Sequence, residues 1–208
     1  MSYKNMEPTR RPRGRPRRYD PDVALKQARD TFWRNGYGAT SLDELSAAMG
    51  MNRPSIYAGF GDKRELYEAA AARYAADSHA ALARELAKPR PLRAALRAVY
   101  QNARKFYLAG DDGPRGCFLV GTAVTEARRD ERVAAIAEST FNGFTELFAE
   151  RFDRAKREGE LSSAAAPRAL AEVATAALVT IAVRARTGAT SNRIGQIIDA
   201  TLAVLLAD

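Results

Sequence analysis

The chain has 208 residues, of which 46% are hydrophobic and 28% charged, so it is long enough for one or two globular domains. Its formal net charge of +8 favours a polyanionic partner, and its one cysteine excludes an intrachain disulfide and fits a reducing, cytoplasmic compartment. The longest apolar stretch, residues 173–183, is too short to cross a bilayer, and the N-terminus has no secretory signal pattern, so we expect no membrane association.

The first nineteen residues are a basic arm. Residues 1–20 carry seven basic and two acidic side chains, a net charge of +5, and prolines and glycine replace apolar residues there. We therefore expect residues 1–19 to be disordered on their own. The segment RGRPRR, residues 13–18, is similar to an AT-hook core, which makes Arg13 and Arg15 candidates for the DNA minor groove. A merely solubilising tail fits the same composition, and this alternative stays open.

Two helices are predicted directly after the arm. Asp20 can cap the first helix, and Gly36 supplies a stop signal for it. Ser41 and Glu44 form a capping-box pattern that opens the second helix. Gly50 ends that helix after little more than two turns.

A third, short helix is predicted over residues 53–59. Asn52 can cap it, Pro54 is tolerated in its first turn, and Gly59 is expected to end it and to permit close approach to a large partner. Asp62 and Glu65 then resemble a capping box that opens a long helix over about 62–87. Two helices joined by a tight glycine turn form a helix-turn-helix, whose second helix enters the DNA major groove.

The segment TSLDELSAAMGMNRPSIYAGFGDKRELY, residues 40–67, resembles the DNA-binding domain of the TetR (tetracycline-repressor) family. The family pattern has a threonine or serine that opens the second helix, a glycine turn, and LYxxFxxKxxL after it. The residues that fill this last pattern are Ile56, Tyr57, Phe60, Lys63 and Leu66, with isoleucine in place of the first leucine. The match covers about residues 20–70, and residues 115–126 resemble more weakly a GCLL segment of some members.

The resemblance implies an all-α fold in three parts. These are the basic arm 1–19, a three-helix helix-turn-helix domain 20–66 and a helical ligand-binding and dimerisation domain 67–208. It also implies a homodimeric transcription regulator, most often a repressor that a small molecule releases from a palindromic operator. A different class of function, a sequence-tolerant architectural DNA binder that uses the arm and binds protein partners through its C-terminal domain, remains an alternative.

The family pattern also implies which residues contact DNA. Arg53 falls where the family reads bases and can donate two hydrogen bonds to guanine, with Ser55 as a second candidate and Pro54 between them. The positions where the family holds phosphates are Thr40 or Ser41, Tyr57 and Lys63. Outside the family context, Arg53 is also explained as a solvated surface residue and Tyr57 as a partly buried packing residue.

The C-terminal region is expected to contain five further helices, over residues 91–109, 116–127, 130–158, 166–187 and 190–207. The last two are rich in Ala, Val, Leu and Ile. In the family this pair packs against the same pair of a second subunit in a four-helix bundle. Filling the core of their own domain is the alternative.

The candidates for a small-molecule pocket are Tyr100, Arg104, Phe106, Tyr107, Cys117, Phe141, Phe144 and Phe148. Aromatic residues at helical spacing are also typical of an ordinary core. We expect Cys117 not to be the main sensor of the regulatory signal, because the apolar residues that follow it indicate burial. A place in the first turn of a helix that starts near residue 115 or 116 would instead lower its thiol pKa and make it reactive. One histidine, one cysteine and no catalytic or phosphate-binding motif predict no enzyme activity, no cofactor and no metal site.

Overall fold

The computed structural model describes residues 19–110 and 113–207. Within those residues the secondary structure is helical, without strands, which confirms the predicted all-α class. The helices are α1 (Pro21–Asn35), α2 (Leu42–Met49), α3 (Arg53–Phe60), α4 (Lys63–Leu86), α5 (Leu92–Leu108), α6 (Val124–Glu126), α7 (Glu131–Arg157), α8 (Pro167–Arg186) and α9 (Ser191–Leu205). A π-helical turn, Leu119–Ala123, leads directly into α6. The candidate residues Arg13 and Arg15 lie outside the described residues.

The N-terminal helices begin where the capping patterns predict. The carboxylate of Asp20 accepts hydrogen bonds from the backbone of the first turn of α1, and Asn52 does the same for α3. Complete capping boxes are formed by Ser41 with Glu44 at α2 and by Asp62 with Glu65 at α4. These side chains satisfy backbone N–H groups that have no partner inside a helix, so the start of each helix is a local property of the sequence.

Two helix bounds differ from the prediction. Gly59 lies inside α3, which continues to Phe60, and a side chain at position 59 would overlap the Tyr19 hydroxyl, so Tyr19 occupies the space expected for a large partner. The helix predicted from residue 116 begins only after Cys117. Gly116 prevents an earlier start because its φ is 65° and its backbone packs against the Ala182 carbonyl.

The core is continuous from the first helices to the last. In the N-terminal part, α1 packs on α2 and on α4, and α3 packs on the same two helices. The fully buried side chains of this part include Phe32, Leu45, Ile56 and Leu66. Helix α4 then runs into the C-terminal part and packs against α7, which pairs in turn with α8. The long helix α4 therefore belongs to both parts and connects them physically.

In the part of the chain that the structure describes, none of the helices combines the length and hydropathy needed to cross a bilayer.

Candidate nucleic-acid interface and inter-helix cavity

The angle between α2 and α3 is fixed by a tight turn. Gly50 has a left-handed backbone with φ 59°, and the Met51 amide donates to the Ser46 carbonyl at 3.1 Å. Leu45 and Ile56 are completely buried on the inner faces of the two helices. The outer surface of α3, including its N-terminal turn, is left to solvent, as a helix that enters a DNA groove requires.

Arg53 opens α3 and is held by a residue of α2. Its Nε and Nη2 atoms donate to Asp43 Oδ1 at 3.0 and 2.6 Å, and the side chains of Arg53 and Asp43 are 54% and 75% exposed. The hydrogen bond to Asp43 and its negative charge raise the pKa of the Arg53 guanidinium. The family pattern implied a base contact for Arg53, but nothing in the local sequence pattern predicted its bond to Asp43, because the two residues are ten positions apart.

The remaining α3 candidates differ in how exposed they are. Pro54 is exposed, Ser55 is half-buried and its backbone amide is capped by Asn52, and the Tyr57 side chain is 48% exposed. An exposure of 48% fits a phosphate contact and also fits the alternative that Tyr57 is a partly buried packing residue. The turn from Arg53 to Tyr57 therefore presents an exposed guanidinium and a half-exposed phenol, with the half-buried Ser55 between them.

The candidates for phosphate contacts differ in how accessible they are. Thr40 is buried and its hydroxyl donates to the Gly36 carbonyl at 2.6 Å, so its side chain is engaged inside the fold. Ser41 is exposed, but its hydroxyl belongs to the capping box with Glu44. Lys63 is half-buried, and its Nζ lies 4.6 Å from the centre of the Tyr37 ring, in the loop between α1 and α2.

Tyr19 is the first described residue and joins the basic arm to the fold. Its ring packs on Phe60 with centroids 5.9 Å apart, and its hydroxyl lies against Gly59. Both contacts are at the C-terminal end of α3. Tyr19 therefore lies beside the helix that carries Arg53.

A cavity of about 470 Å³ lies between the helices of the C-terminal part. Three of the predicted pocket residues line it: Phe106, Tyr107 and Phe144. The other lining residues are Arg29, Tyr74, Asp77, Ser78, Ala81, Leu82, Glu85, Val99, Asn102, Ala103 and Leu178. Most are apolar, with a few polar groups, which is typical of a small-molecule site, and Arg29 brings α1 to its wall. We call this space the inter-helix cavity.

The other predicted pocket residues lie elsewhere. Tyr100 and Phe148 are fully buried and stack on each other, and the Tyr100 hydroxyl donates to the Ala174 carbonyl at 3.1 Å. Arg104 lies against Gly195 of α9, and Phe141 lines a separate shallow concavity beside α6. None of these four side chains lines the inter-helix cavity, because helical spacing does not say which face of a helix meets a cavity.

Cys117 lies behind the cavity wall. It is buried, and the Tyr74 hydroxyl lies 3.4 Å from its sulfur. Burial raises the pKa of the Cys117 thiol and raises those of Tyr74 and Tyr107 well above their ordinary values. These shifts favour a protonated thiol, which is a poor nucleophile.

A contact cluster joins the cavity to the N-terminal helices. The Arg115 guanidinium carbon lies 4.5 Å from the centre of the Trp33 ring and 4.7 Å from that of Phe106. Arg186 of α8 donates to the carbonyl of Arg115 at 3.0 Å and to that of Trp33 at 3.3 Å. We call these four residues the Trp33 junction. The sequence pattern did not predict this junction, because its members lie on four segments far apart in the chain.

Each of the two parts of the chain matches a known protein-family model. Residues 24–70 match the model of the bacterial regulatory proteins of the tetR family, and residues 93–201 match the tetracyclin repressor-like C-terminal domain. The chain belongs to the TetR family. It is accordingly a DNA-binding transcriptional regulator of the helix-turn-helix type, as the TetR resemblance implied, and its family consists of regulators rather than enzymes.

Individual TetR proteins resemble the chain over nearly its whole length. The transcriptional repressor ComR of Escherichia coli is 29% identical over 97% of this chain and 96% of its own length. The uncharacterised regulator YezE of Bacillus subtilis is 27% identical over 92% of this chain and 99% of its own. Among solved structures, a cysteine mutant of the TetR regulator CifR, complexed with 26 bp double-strand operator DNA, is 30% identical. It covers 90% of this chain and 98% of its own, with a TM-score of 0.80.

The last two helices of this TetR chain keep an apolar outer face. On α8, Val173 and Val183 are 46% and 43% exposed, and Ala176 lies on the surface between them. On α9, Val204 is 68% exposed and Ala200 is exposed one turn earlier. The inner faces of both helices are buried in their own domain, so they fill that core and still present an apolar surface outside.

Among residues 19–110 and 113–207, no three side chains of His, Cys, Asp or Glu come together as metal ligands do.

Proposed function

We propose that this TetR-family chain is a repressor that binds a palindromic operator as a homodimer and is released by a small molecule. The observation that carries the proposal is the exposed N-terminal turn of α3, where Arg53 stands on a helix-turn-helix of fixed geometry. The similarity to CifR, which was solved with operator DNA, supports operator DNA as the partner. The similarity to the repressor ComR supports repression as the mode of regulation.

The proposed DNA contacts are of two kinds, contacts with base edges and contacts with phosphates. Arg53 and Ser55 meet base edges at the start of α3, and Tyr57 and Lys63 bind phosphates. Ser41 is left out of this set because Glu44 occupies its hydroxyl and its backbone N–H. Tyr19, the last residue of the basic arm, packs beside the end of α3. From there, we propose, Arg13 and Arg15 reach the minor groove that flanks each half-site.

The proposed dimer forms through α8 and α9. Their exposed valines and alanines lie at helical spacing on one side, and small residues let two helix pairs approach closely. A two-fold axis through such an interface places two copies of α3 on inverted half-sites.

The proposed effector site is the inter-helix cavity. Its volume of about 470 Å³ falls in the range of small-molecule pockets. Its wall is mainly apolar, with Ser78 and Asn102 as neutral polar groups and Arg29, Asp77 and Glu85 as charged ones. Because Phe106 contacts both the cavity and Arg115, an effector that moves Phe106 also disturbs the Trp33 junction and, through it, α1. We propose that the effector therefore contacts the cavity differently in the DNA-bound and the released protein. Such a difference is what allows a ligand to shift the equilibrium between two states.

The test is selection of bound sequences from a random DNA library with the full-length protein, followed by footprinting of the selected sequence. We expect two inverted half-sites protected together by a dimer. Enrichment of A·T-rich DNA without a repeated half-site would instead support an architectural DNA binder that relies on the basic arm.

A further inference from the structure

Helix α2 places a carboxylate at the surface that the proposed function assigns to DNA, where it repels phosphates. Asp43 is 75% exposed, and its best-formed contact is with the Arg53 guanidinium on α3. An acid in the first turn of α2 is favoured by the helix dipole, but that role needs no bond to a neighbouring helix. The helix dipole therefore does not explain why Asp43 bonds to Arg53.

The geometry of the bond determines which part of Arg53 remains available. Asp43 Oδ1 takes one hydrogen from Nε and one from Nη2, which are donors on the side edge of the guanidinium. A guanidinium has five N–H groups in a rigid plane, so two hydrogens on Nη1 and one on Nη2 are left. One hydrogen of each Nη group points outward along the end of the fork.

We propose that Asp43 is a positioning residue that makes Arg53 selective for guanine, an inference that rests on the proposed base contact of Arg53. The end of the fork presents two parallel donors. Guanine alone offers two adjacent acceptors, O6 and N7, in the major groove, whereas adenine pairs one acceptor with a donor. An arginine held in this way matches guanine and leaves an unpaired donor with any other base.

Without Asp43, the long Arg53 side chain regains its rotamer freedom. It can then turn from the bases to a phosphate, a contact that is strong but carries no sequence information. Loss of Asp43 should therefore lower discrimination at one base pair of each half-site. It should not lower overall affinity, because a negative charge near the phosphates is lost at the same time.

The experiment uses the full-length protein and the palindrome that the wild type selects from a random library. The guanine assigned to Arg53 is the position where Arg53→Ala abolishes base preference. Affinity for all four base pairs at that position is then measured for wild type, Asp43→Asn, Asp43→Ala and Asp43→Glu at several salt concentrations. We expect the wild type to prefer guanine by roughly 5- to 150-fold, the range of a good bidentate pair.

Asp43→Ala should reduce the preference for guanine to less than about 3-fold, with equal or higher affinity for the other bases. The preference of Asp43→Asn should lie between those of the wild type and Asp43→Ala. Asp43→Glu, which keeps the charge, should retain part of the preference. The matched control is Asp199→Asn, which removes the same charge and an exposed ion pair with Arg97 at 2.8 Å in the C-terminal part. It should leave the preference unchanged, and circular dichroism should show the same helix content for all variants.

The outcomes separate the inference from the proposed function. If Arg53→Ala removes the guanine preference and Asp43→Ala keeps it, Asp43 serves only the dipole of α2 and the inference is wrong, while the base contact stands. If Arg53→Ala changes no base preference, the proposed base contact is wrong as well.

Discussion

The indole nitrogen of Trp33 donates a hydrogen bond of 2.9 Å to the backbone carbonyl of Arg115, 82 residues further along the chain. The bond ties the end of α1 to the segment before Cys117, and the Arg115 side chain folds back over the same indole ring. A movement of the cavity wall at Phe106 therefore has a direct mechanical path to the first helix of the DNA-binding domain.

This relationship predicts coupling between cavity and operator. The fluorescent probe 8-anilinonaphthalene-1-sulfonate should bind the wild type, and addition of operator DNA should weaken its binding several-fold, because coupling between two sites is reciprocal. Arg115→Met, which keeps the apolar stem, should bind both partners with the coupling reduced to less than about twofold. Fluorescence titrations with and without operator measure it.

The control for this prediction is a pair of cavity-filling variants. Ala103→Trp fills the inter-helix cavity and should abolish probe binding, while Ala135→Trp, at the shallow concavity beside Phe141, should not. Probe binding that is the same in wild type and Ala103→Trp, or that ignores operator, contradicts an effector site in this cavity.

The second prediction concerns Lys63, whose ammonium group lies over the Tyr37 ring. Lys63→Ala should weaken binding to operator and to random DNA by the same factor and reduce the slope of log affinity against log salt by about one unit. Binding measured from 50 to 300 mM salt gives the slope (roughly the range where counterion release dominates). Arg53→Ala is the contrasting variant. It should also remove the base preference in each half-site, which a bidentate pair makes worth about 1–3 kcal/mol. A loss confined to operator DNA would show that Lys63 does not bind a phosphate.

Helix starts in this chain were predictable because each depends on a few neighbouring residues. Asp20, Ser41, Asn52 and Asp62 cap the helices that they were expected to cap, and the family pattern then supplied the helix-turn-helix. Such caps work through backbone groups within three positions, so the sequence alone contains the whole interaction.

The site was less predictable because its contacts join distant segments. Helical spacing gave Phe106 and Phe144 but also Tyr100, which turns into the core and bonds to Ala174. The contact of Trp33 with Arg115 depends on how whole helices pack, and the sequence carries no local signal for it. The same holds for Gly116, whose packing on α8 delays the start of a helix.

The dimer prediction rests on the exposed valines of the last two helices. Val204→Glu introduces a charge on α9 at a side chain that is 68% exposed in the single chain, so the monomer should stay folded while the dimer dissociates. Sedimentation at micromolar concentration should show a dimer for wild type and a monomer for the variant. Val124→Glu changes a valine of α6 that is 51% exposed and should remain dimeric. Dissociation by both variants alike would place the interface elsewhere.

The basic arm can be tested by deletion. Removal of residues 1–18 leaves Tyr19 on Phe60 and so should not change the stability of the described fold. It should weaken operator binding and lower the salt slope, with the largest loss for operators flanked by A·T pairs, since their narrow minor groove attracts arginine. Equal loss for A·T- and G·C-flanked operators shows that the arm does not read groove width.

The Cys117 prediction follows from burial. The folded thiol keeps its proton to higher pH than the unfolded one because burial raises its pKa above the ordinary value of 9.0. The contribution of this proton to the free energy of unfolding is complete below pH 9.0 and is lost as pH rises further, through the folded pKa. Cys117→Ser should therefore show a smaller decrease in unfolding free energy between pH 8 and about 10 than wild type, as measured by urea denaturation.

The same burial predicts that Cys117 is not the main sensor. Operator complexes of wild type and Cys117→Ser should respond alike to peroxide or to a soluble electrophile. Release of the wild type only would assign the signal to the thiol and overturn a non-covalent effector site.

The central claim is sequence-specific binding by a helix-turn-helix dimer, and one comparison of affinities tests it most directly. The full-length protein is titrated with its selected palindrome and with a shuffled sequence of the same length and composition, both at about 150 mM salt, where non-specific attraction is partly screened. We predict at least about 10³-fold tighter binding to the palindrome, with two chains per duplex. Affinities within about tenfold of each other, with no fixed stoichiometry, would contradict the account.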